Sequence, residues 1–588
     1  MRKPLLCVAL LGAVAALSIP AAASAARPHS YVVLLKHGTS AADARAAIRA
    51  AGGTIVHANK AIGLVTVNSA SARFPSRAKA QGAVAGVARN RVIGRAPGSG
   101  RGDRKPPWRD METDGDRRGA PAKPAPVPSG DNLSGLQWDM QMIGATPTGS
   151  YARQQGSHAV RVGIIDTGVD GSHPDIAPNF DKALSRNFTV DNPAGTGIDD
   201  GTPCEVPSCV DPVDEDDDGH GTHVAGTVGA ALNGIGVGGV APGVDLVNIR
   251  AGQDSGFFLL QPTVDALTYA GDHGIDVVNM SFFIDPWLFN CRANPADSPA
   301  EQADQRTIID ATTAAVKYAR DRGVTLVAAE GNEFTDLGHP TIDETSPDFP
   351  ATPPKTRTID NGCLTEPTEA PGVIAVSSVG PVEPALSPFP RKAFYSNYGV
   401  EQTDVSAPGG DSRVFFGTPQ FRAPQNQILN AYPLNVAQAC GEVDANGVPN
   451  GQTTCDPNAP GQTVPRAVPL VRDCANGTCA LYQWIQGTSM ASPHAVGVAA
   501  LIVAQFGRRD RANGGLTLAP GKVEQILKRT ATDTPCPAQE PFVYPFEATA
   551  AKRAFDATCE GNAQFNGFYG EGIVNAAAAV GTGDRGRN

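Results

Sequence analysis

The sequence predicts an α/β fold, a parallel sheet covered by helices on both faces, preceded by a small ferredoxin-like α+β module. Three observations carry this. Apolar runs of strand length recur at 160–165, 244–249, 275–280, 324–329 and 373–379. Their near-continuous apolar character suits strands buried on both faces. Helical patterns stand between several of them, most clearly at 263–273 and 307–322, and alternating strands and helices give parallel sheets. Ahead of these, 30–93 reads in shorter strands and helices of its own.

In chain order, Met1-Arg2-Lys3, the apolar stretch 5–17 and the small residues Ala23 and Ala25 form an export signal over 1–25, with cleavage expected after Ala25. No later run of about 18 apolar residues reads as a membrane span, so the mature protein is expected to be soluble, secreted and free of membrane partners. Within 26–97 a strand is expected at 30–36 and a helix at 39–51, closed by Gly52-Gly53. Strands follow at 54–57 and 63–68, then an Ala-rich helix within 77–88, with Arg91-Val92-Ile93 closing the unit. Residues 98–130, rich in Gly, Pro, Arg and Asp, cannot bury a core and read as a linker and processing zone. The main domain is expected over 131–580. It contains a Pro-, Asn- and Gln-rich, Cys-containing insertion at about 410–485, expected as a surface loop, and a tail at 581–588 follows.

Bulk properties exclude other classes. The 588 residues, 41% hydrophobic and 18% charged, suit a globular chain of several segments. A net charge of −11 gives no electrostatic reason to bind nucleic acid. Of eleven Cys, Cys7 leaves with the signal, and the even remainder in an exported protein favours disulfides. Sequence neighbours would pair simply: Cys204/Cys209, Cys291/Cys363, Cys440/Cys455, Cys474/Cys479 and Cys536/Cys559. Spacing alone does not fix that connectivity. A zinc site is disfavoured because no C-x-x-C pair occurs.

Three motifs carry chemistry. Asp166 follows the run Val162-Gly-Ile-Ile and precedes Thr-Gly-Val-Asp-Gly, so a carboxylate stands where a buried strand turns sharply. Taken alone it reads as a turn cap. His220, in Asp218-Gly-His-Gly-Thr-His-Val-Ala-Gly, lies where glycines permit close backbone approach before a helix begins. A core histidine, or a metal pair with His223, is the alternative. Ser489, in Gly487-Thr-Ser-Met-Ala-Ser-Pro-His, opens an apolar helix, where backbone N–H groups and the helix dipole favour developing negative charge. A plain cap serine is the alternative.

The order Asp, His, Ser is one of the chain orders of the serine-protease triad. On these motifs, with Gln137-Trp-Asp-Met-Gln-Met-Ile-Gly-Ala and Tyr569-Gly-Glu-Gly-Ile-Val-Asn-Ala at its ends, the chain resembles the subtilisin-like serine proteases over roughly 131–580. The resemblance implies a serine endopeptidase that cuts proteins or peptides through an acyl-enzyme, with Asp166, His220 and Ser489 catalytic and Asn332 in the oxyanion hole. It implies no cofactor for the chemistry, a monomer, and a precursor whose 26–97 module resembles the family's inhibitory propeptide. Substrate is expected beside Asn279-Met-Ser-Phe-Phe and Ala328–Gly331. Phe282-Phe283 departs from the family pattern there and implies narrowed upstream subsites, while Glu330 suggests a preference for basic side chains. Asp175 and the loop Asn233-Gly-Ile-Gly-Val match in part a structural calcium site of relatives. Asp214-Glu-Asp-Asp-Asp reads as an acidic surface loop rather than a second one.

Overall fold

The computed structural model describes residues 29–90, 112, 130–190, 204, 206–347, 355–451, 453–455, 463–465, 468–548 and 554–581. The expected signal at 1–25, the linker at 98–130 apart from Glu112 and Gly130, and the tail from 582 lie outside them.

The N-terminal module runs β1 (His29–Leu35), α1 (Ala41–Ala50), β2 (Thr54–Asn59), β3 (Leu64–Ser69), α2 (Phe74–Lys79) and β4 (Val84–Arg89). Its antiparallel sheet has the order β2-β3-β1-β4, the expected ferredoxin-like arrangement. Ser40 caps α1 by accepting from Asp43 N at 3.1 Å, and Gly52, at φ +88°, follows its end. The Ala-rich helix expected within 77–88 is the one misreading. The helix stops at Lys79, and 84–89 is a strand whose Val84, Val87 and Ala88 are buried. Pairing with β1 overrides alanine's local preference for helix. Arg91-Val-Ile lies outside the described residues.

In the main domain every predicted apolar run forms a strand. These are β5 (Arg161–Ile165), β7 (Asp245–Arg250), β8 (Val277–Met280), β9 (Thr325–Ala329) and β10 (Val373–Val379), flanked by the short β6 (Arg186–Asn187) and by β11 (Val405–Pro408). The order is β11-β10-β9-β8-β5-β7-β6, parallel throughout. Successive residues serve opposite faces. Leu246, Val277 and Val327 join one core with the helices α3 (His220–Gly229), α6 (Thr488–Phe506) and α7 (Pro520–Thr530). Val247, Val278 and Leu326 join the other with α4 (Leu260–Asp272) and α5 (Pro299–Arg320). Helix α5 begins two turns before its clearest periodicity because Ser298 and Glu301 form a capping box ahead of Pro299. By length and apolar character α6 could cross a membrane; here it is buried against the sheet.

The N-terminal sheet docks on α4 and α5. Val32, Leu34 and Leu64 join their core, Asn59 Nδ2 donates to Asp265 Oδ1 at 2.8 Å, and Arg89 Nε pairs with Asp304 Oδ2 at 2.8 Å.

The insertion is not a plain surface loop. It contains an antiparallel sheet of β12 (Ile428–Tyr432), β13 (Val471–Ala475) and β14 (Thr478–Ile485), in the order β12-β14-β13. All of β12 is buried, as is Trp484, and Asn430 Nδ2 donates to Thr227 Oγ1 of α3 at 3.2 Å. Disulfides join Cys204–Cys209, Cys291–Cys363, Cys474–Cys479 and Cys536–Cys559. Cys440 is also disulfide-bonded; its expected partner Cys455 has a side chain outside the described set.

Candidate active site

The strand order reverses at β5, which has β7 on one side and β8 on the other. Beyond the carboxyl ends of strands at such a switch point an open α/β sheet leaves a crevice. Asp166 stands one residue past β5, wholly buried. Its Oδ1 accepts from Thr167 N at 2.8 Å and lies 2.8 Å from His220 Nδ1.

His220 is the first residue of α3. Gly221 lets the helix press on Asp166, since a Cβ there would lie 2.1 Å from Gly168 O and 3.0 Å from Asp166 Cβ. The acidic stretch before His220 is less a surface loop than expected, because Asp216 is fully buried. Its Oδ1 accepts from Asp218 N, Gly219 N and Thr167 Oγ1 at 3.2, 2.9 and 3.2 Å. Its Oδ2 accepts from Thr222 N at 2.9 Å and Thr222 Oγ1 at 2.6 Å. One carboxylate thus takes the Gly219 and Thr222 N–H groups at the start of α3 and ties them to the histidine loop. His223 turns away to Ile428 O and Gln483 O, both 3.2 Å from its Nε2, and burial lowers its pKa to about 3. A metal pair with His220 is not formed.

Ser489 is the second residue of α6 and buried. Strand β8 holds this turn: Ser281 Oγ donates to Ser489 O at 2.9 Å, and Ser492 Oγ donates to Asn279 Oδ1 at 2.8 Å. Asn332, beyond β9, accepts at Oδ1 from Thr488 N and Thr488 Oγ1, both at 2.9 Å. The carbonyl end of its amide is committed, which leaves the Nδ2 end for the cleft. Ser489 and Asn332 line one cleft with Phe282, Phe283, Glu333 and Thr365. Phe282 stacks on Phe258 with centroids 4.0 Å apart, so both phenylalanines wall this cleft, where narrowed subsites were expected.

Two acidic residues change the sequence reading. Glu330 does not face the cleft; it is buried, and its Oε1 accepts from Thr403 Oγ1 at 2.7 Å. Glu333, three residues on, lines the cleft instead. Glu112, from the expected linker, is buried with Oε1 3.6 Å from His220 Nε2, and its carbonyl accepts from Gln486 N at 3.0 Å. Burial opposes protonation of His220, but Asp166 and Glu112 together carry its pKa up to about 10. Sequence composition held no signal for Glu112. Glu333 directly follows the Ala328-Ala-Glu-Gly-Asn run in which Asn332 was read.

At the expected calcium position the Asp175 carboxylate is hydrogen-bonded within the chain. Asp175 Oδ1 accepts from Asn233 Nδ2 at 3.1 Å, and its Oδ2 accepts from Val237 N at 3.2 Å and Tyr482 OH at 2.9 Å. At the histidine loop, Asp211, Asp217 and Asp254 converge, but buried Arg250 pairs with Asp211 at 2.7 Å and Asp254 at 2.6 Å.

Comparison with known proteins agrees with this geometry. The model of the subtilase family matches residues 157–572. Fervidolysin of Fervidobacterium pennivorans is 24% identical over 410 residues, 69% of this chain and 41% of that protein. Subtilisin DY of Bacillus licheniformis is 26% identical over 374 residues, 64% of this chain and 84% of that protein. The chain thus spans less than half of fervidolysin. The epidermin leader peptide processing serine protease of Staphylococcus aureus shares the fold, with a TM-score of 0.59 at 19% identity over 96% of this chain and all of that one.

Proposed function

We propose, from the premise that this chain belongs to the subtilase family, that it is a secreted serine endopeptidase made as an inactive precursor. In this reading Ser489 Oγ attacks the scissile carbonyl while His220 Nε2 takes its proton. Asp166 holds the imidazole by its Nδ1 and stabilises the imidazolium that forms. Ser489 N and Asn332 Nδ2 donate to the tetrahedral oxygen at the start of α6, where the helix dipole adds to them. His220 then protonates the leaving amine, and water admitted to the same base releases the acyl-enzyme. The observation that carries the reading is the buried 2.8 Å bond between Asp166 and His220, with Ser489 and Asn332 sharing the adjoining cleft. The chemistry uses no cofactor.

The 26–97 module, docked on α4 and α5, acts as inhibitor and folding helper, and removal of 26–130 yields the active enzyme. Glu112 supports this: with its carboxylate beside His220 the base is held protonated. Proteins or peptides are the substrates and the enzyme works as a monomer. The test is to express the precursor and its Ser489→Ala form. Loss of the leader and digestion of casein by the native form alone is expected, and equal processing of both would overturn the reading.

A further inference from the structure

Residues 505–530 carry six basic side chains against Asp510 and Glu524, in a chain of net charge −11. The chain turns back on itself here at Gly514 and Gly515, both at positive φ, +77° and +74°. A short hairpin of β15 (Arg508–Arg509) and β16 (Leu516–Thr517) results. It packs at the amino end of β5, where Leu516 N donates to Ala159 O at 2.8 Å and Arg161 Nη1 to Asn513 O at 3.1 Å. Asp166 lies past the other end of that strand. Between the hairpin, the end of α6 and α7 runs a groove of about 420 Å³, within the size of small-ligand sites, roughly 300–1,000 Å³. Phe506, Leu518 and Ile526 give it an apolar floor, and Arg508, Lys522 and Arg529 form its rim. Lys522, Ile526 and Arg529 share one face of α7 by their helical spacing. Among the described residues no carboxylate pairs with these three cations. Glu524, the acid of α7, is committed to Arg320 and Lys528, each at 3.0 Å. Asp510 accepts from Ala512 N at 2.7 Å and Asn513 Nδ2 at 3.0 Å. Lys522 Nζ donates to the neutral Gln525 Oε1 at 3.2 Å.

We infer that this groove is a binding site for an aliphatic carboxylate: the chain of a fatty acid lies on Phe506, Leu518 and Ile526, and its head group accepts hydrogen bonds from the cationic rim. Size and charge select that occupant together. A pocket of this volume is matched to a small molecule rather than to a folded partner. A bare anion leaves the apolar floor against water, and an uncharged chain leaves the cations without a counter-charge. A chain ending in a cation is repelled by the rim. The groove stands at the opposite end of β5 from the reacting groups, so its occupant leaves the catalytic cleft open. The inference holds whether or not the proteolytic reading does.

The test titrates the full-length Ser489→Ala protein by calorimetry with sodium decanoate, kept below the concentration at which it forms micelles. Decanol and decyltrimethylammonium serve as chains of equal length with no charge and with a positive one. Decanoate is expected to bind at a single site, about 10-fold or more tighter than either of the others. Lys522→Glu combined with Arg529→Glu is expected to weaken decanoate about 10-fold or more, and Leu518→Ser about 3-fold or more. Both basic side chains are exposed, so the double variant is expected to keep the parent's Tm; should it fail to fold, Arg508→Glu alone reads a loss in the same direction. Equal binding of the three chains, unchanged decanoate binding in the charge-reversed variants, or no binding of decanoate would each overturn the inference. Binding to phosphatidylglycerol vesicles without binding to decanoate would assign the groove to a membrane surface and overturn it as well.

Discussion

A protonated imidazole cannot take a proton from a hydroxyl, and with Asp166 and Glu112 on either side His220 is held protonated up to about pH 10. Glu112→Gln removes one of the two carboxylates and lets the histidine pKa fall. In precursor that still carries its leader, sulfonyl fluoride labelling of Ser489 at pH 8 is therefore expected to speed up by roughly 10-fold or more. An unchanged rate would show that Glu112 has no hold on the base. At this scale the sequence was most informative where glycines or a strand end bracketed a polar residue, as at Asp166, His220, Asn332 and Ser489. It was least informative where direction decided the outcome. Glu330 and Glu333 share one short run, yet the end of β9 aims the first at Thr403 and leaves the second in the cleft. Glu112 sits in a linker-like composition that carries no periodic signal.

Helices deliver the reacting groups. Helix α3 presents His220 at its first residue, and the Asp216 carboxylate receives four hydrogen bonds from the loop and first turn, and one from Thr167, that hold it there. Asp216→Ala strands those buried donors and is expected to cost about 1–3 kcal/mol in urea unfolding of the Ser489→Ala protein. A change below about 0.5 kcal/mol would show that the loop is fixed otherwise. Elements with long apolar runs, β5 and β7 to β10, were legible because burial on both faces leaves a continuous hydrophobic record. The insertion was not, because β12 to β14 lie between Pro- and Asn-rich turns. The burial of β12 comes from packing on α3, and that of β14 from Leu133, Leu136 and Val237, which local composition does not encode. Nor did composition separate β4 from a helix, since Val84-Ala-Gly-Val-Ala-Arg becomes a strand by pairing with β1.

For the whole molecule, pH dependence follows from what is buried. Burial raises the carboxyl pKa values of Asp175, Asp276 and Glu369 to about 7 and of Glu366 to about 8. In the unfolded chain these groups ionise near 4. Between roughly pH 4.5 and 7 the unfolded state therefore binds fewer protons than the native state, and stability falls as pH rises. His223, held down to about 3, and His173, also lowered by burial, work the other way up to their unfolded pKa, but the raised carboxyls outnumber them. Lys392, held down to about 7 by burial, adds stability only above that. The Tm of the Ser489→Ala protein, which cannot digest itself, is expected to be higher at pH 5 than at pH 7. The reverse order would mean that these carboxyls are matched by cations in solution. The central claim, that one serine is made nucleophilic by one histidine, is tested most directly by locating the sulfonyl adduct by peptide mass. A single adduct on Ser489, lost in His220→Ala, is the result expected. Labelling that persists without His220, or an adduct on another residue, would contradict it.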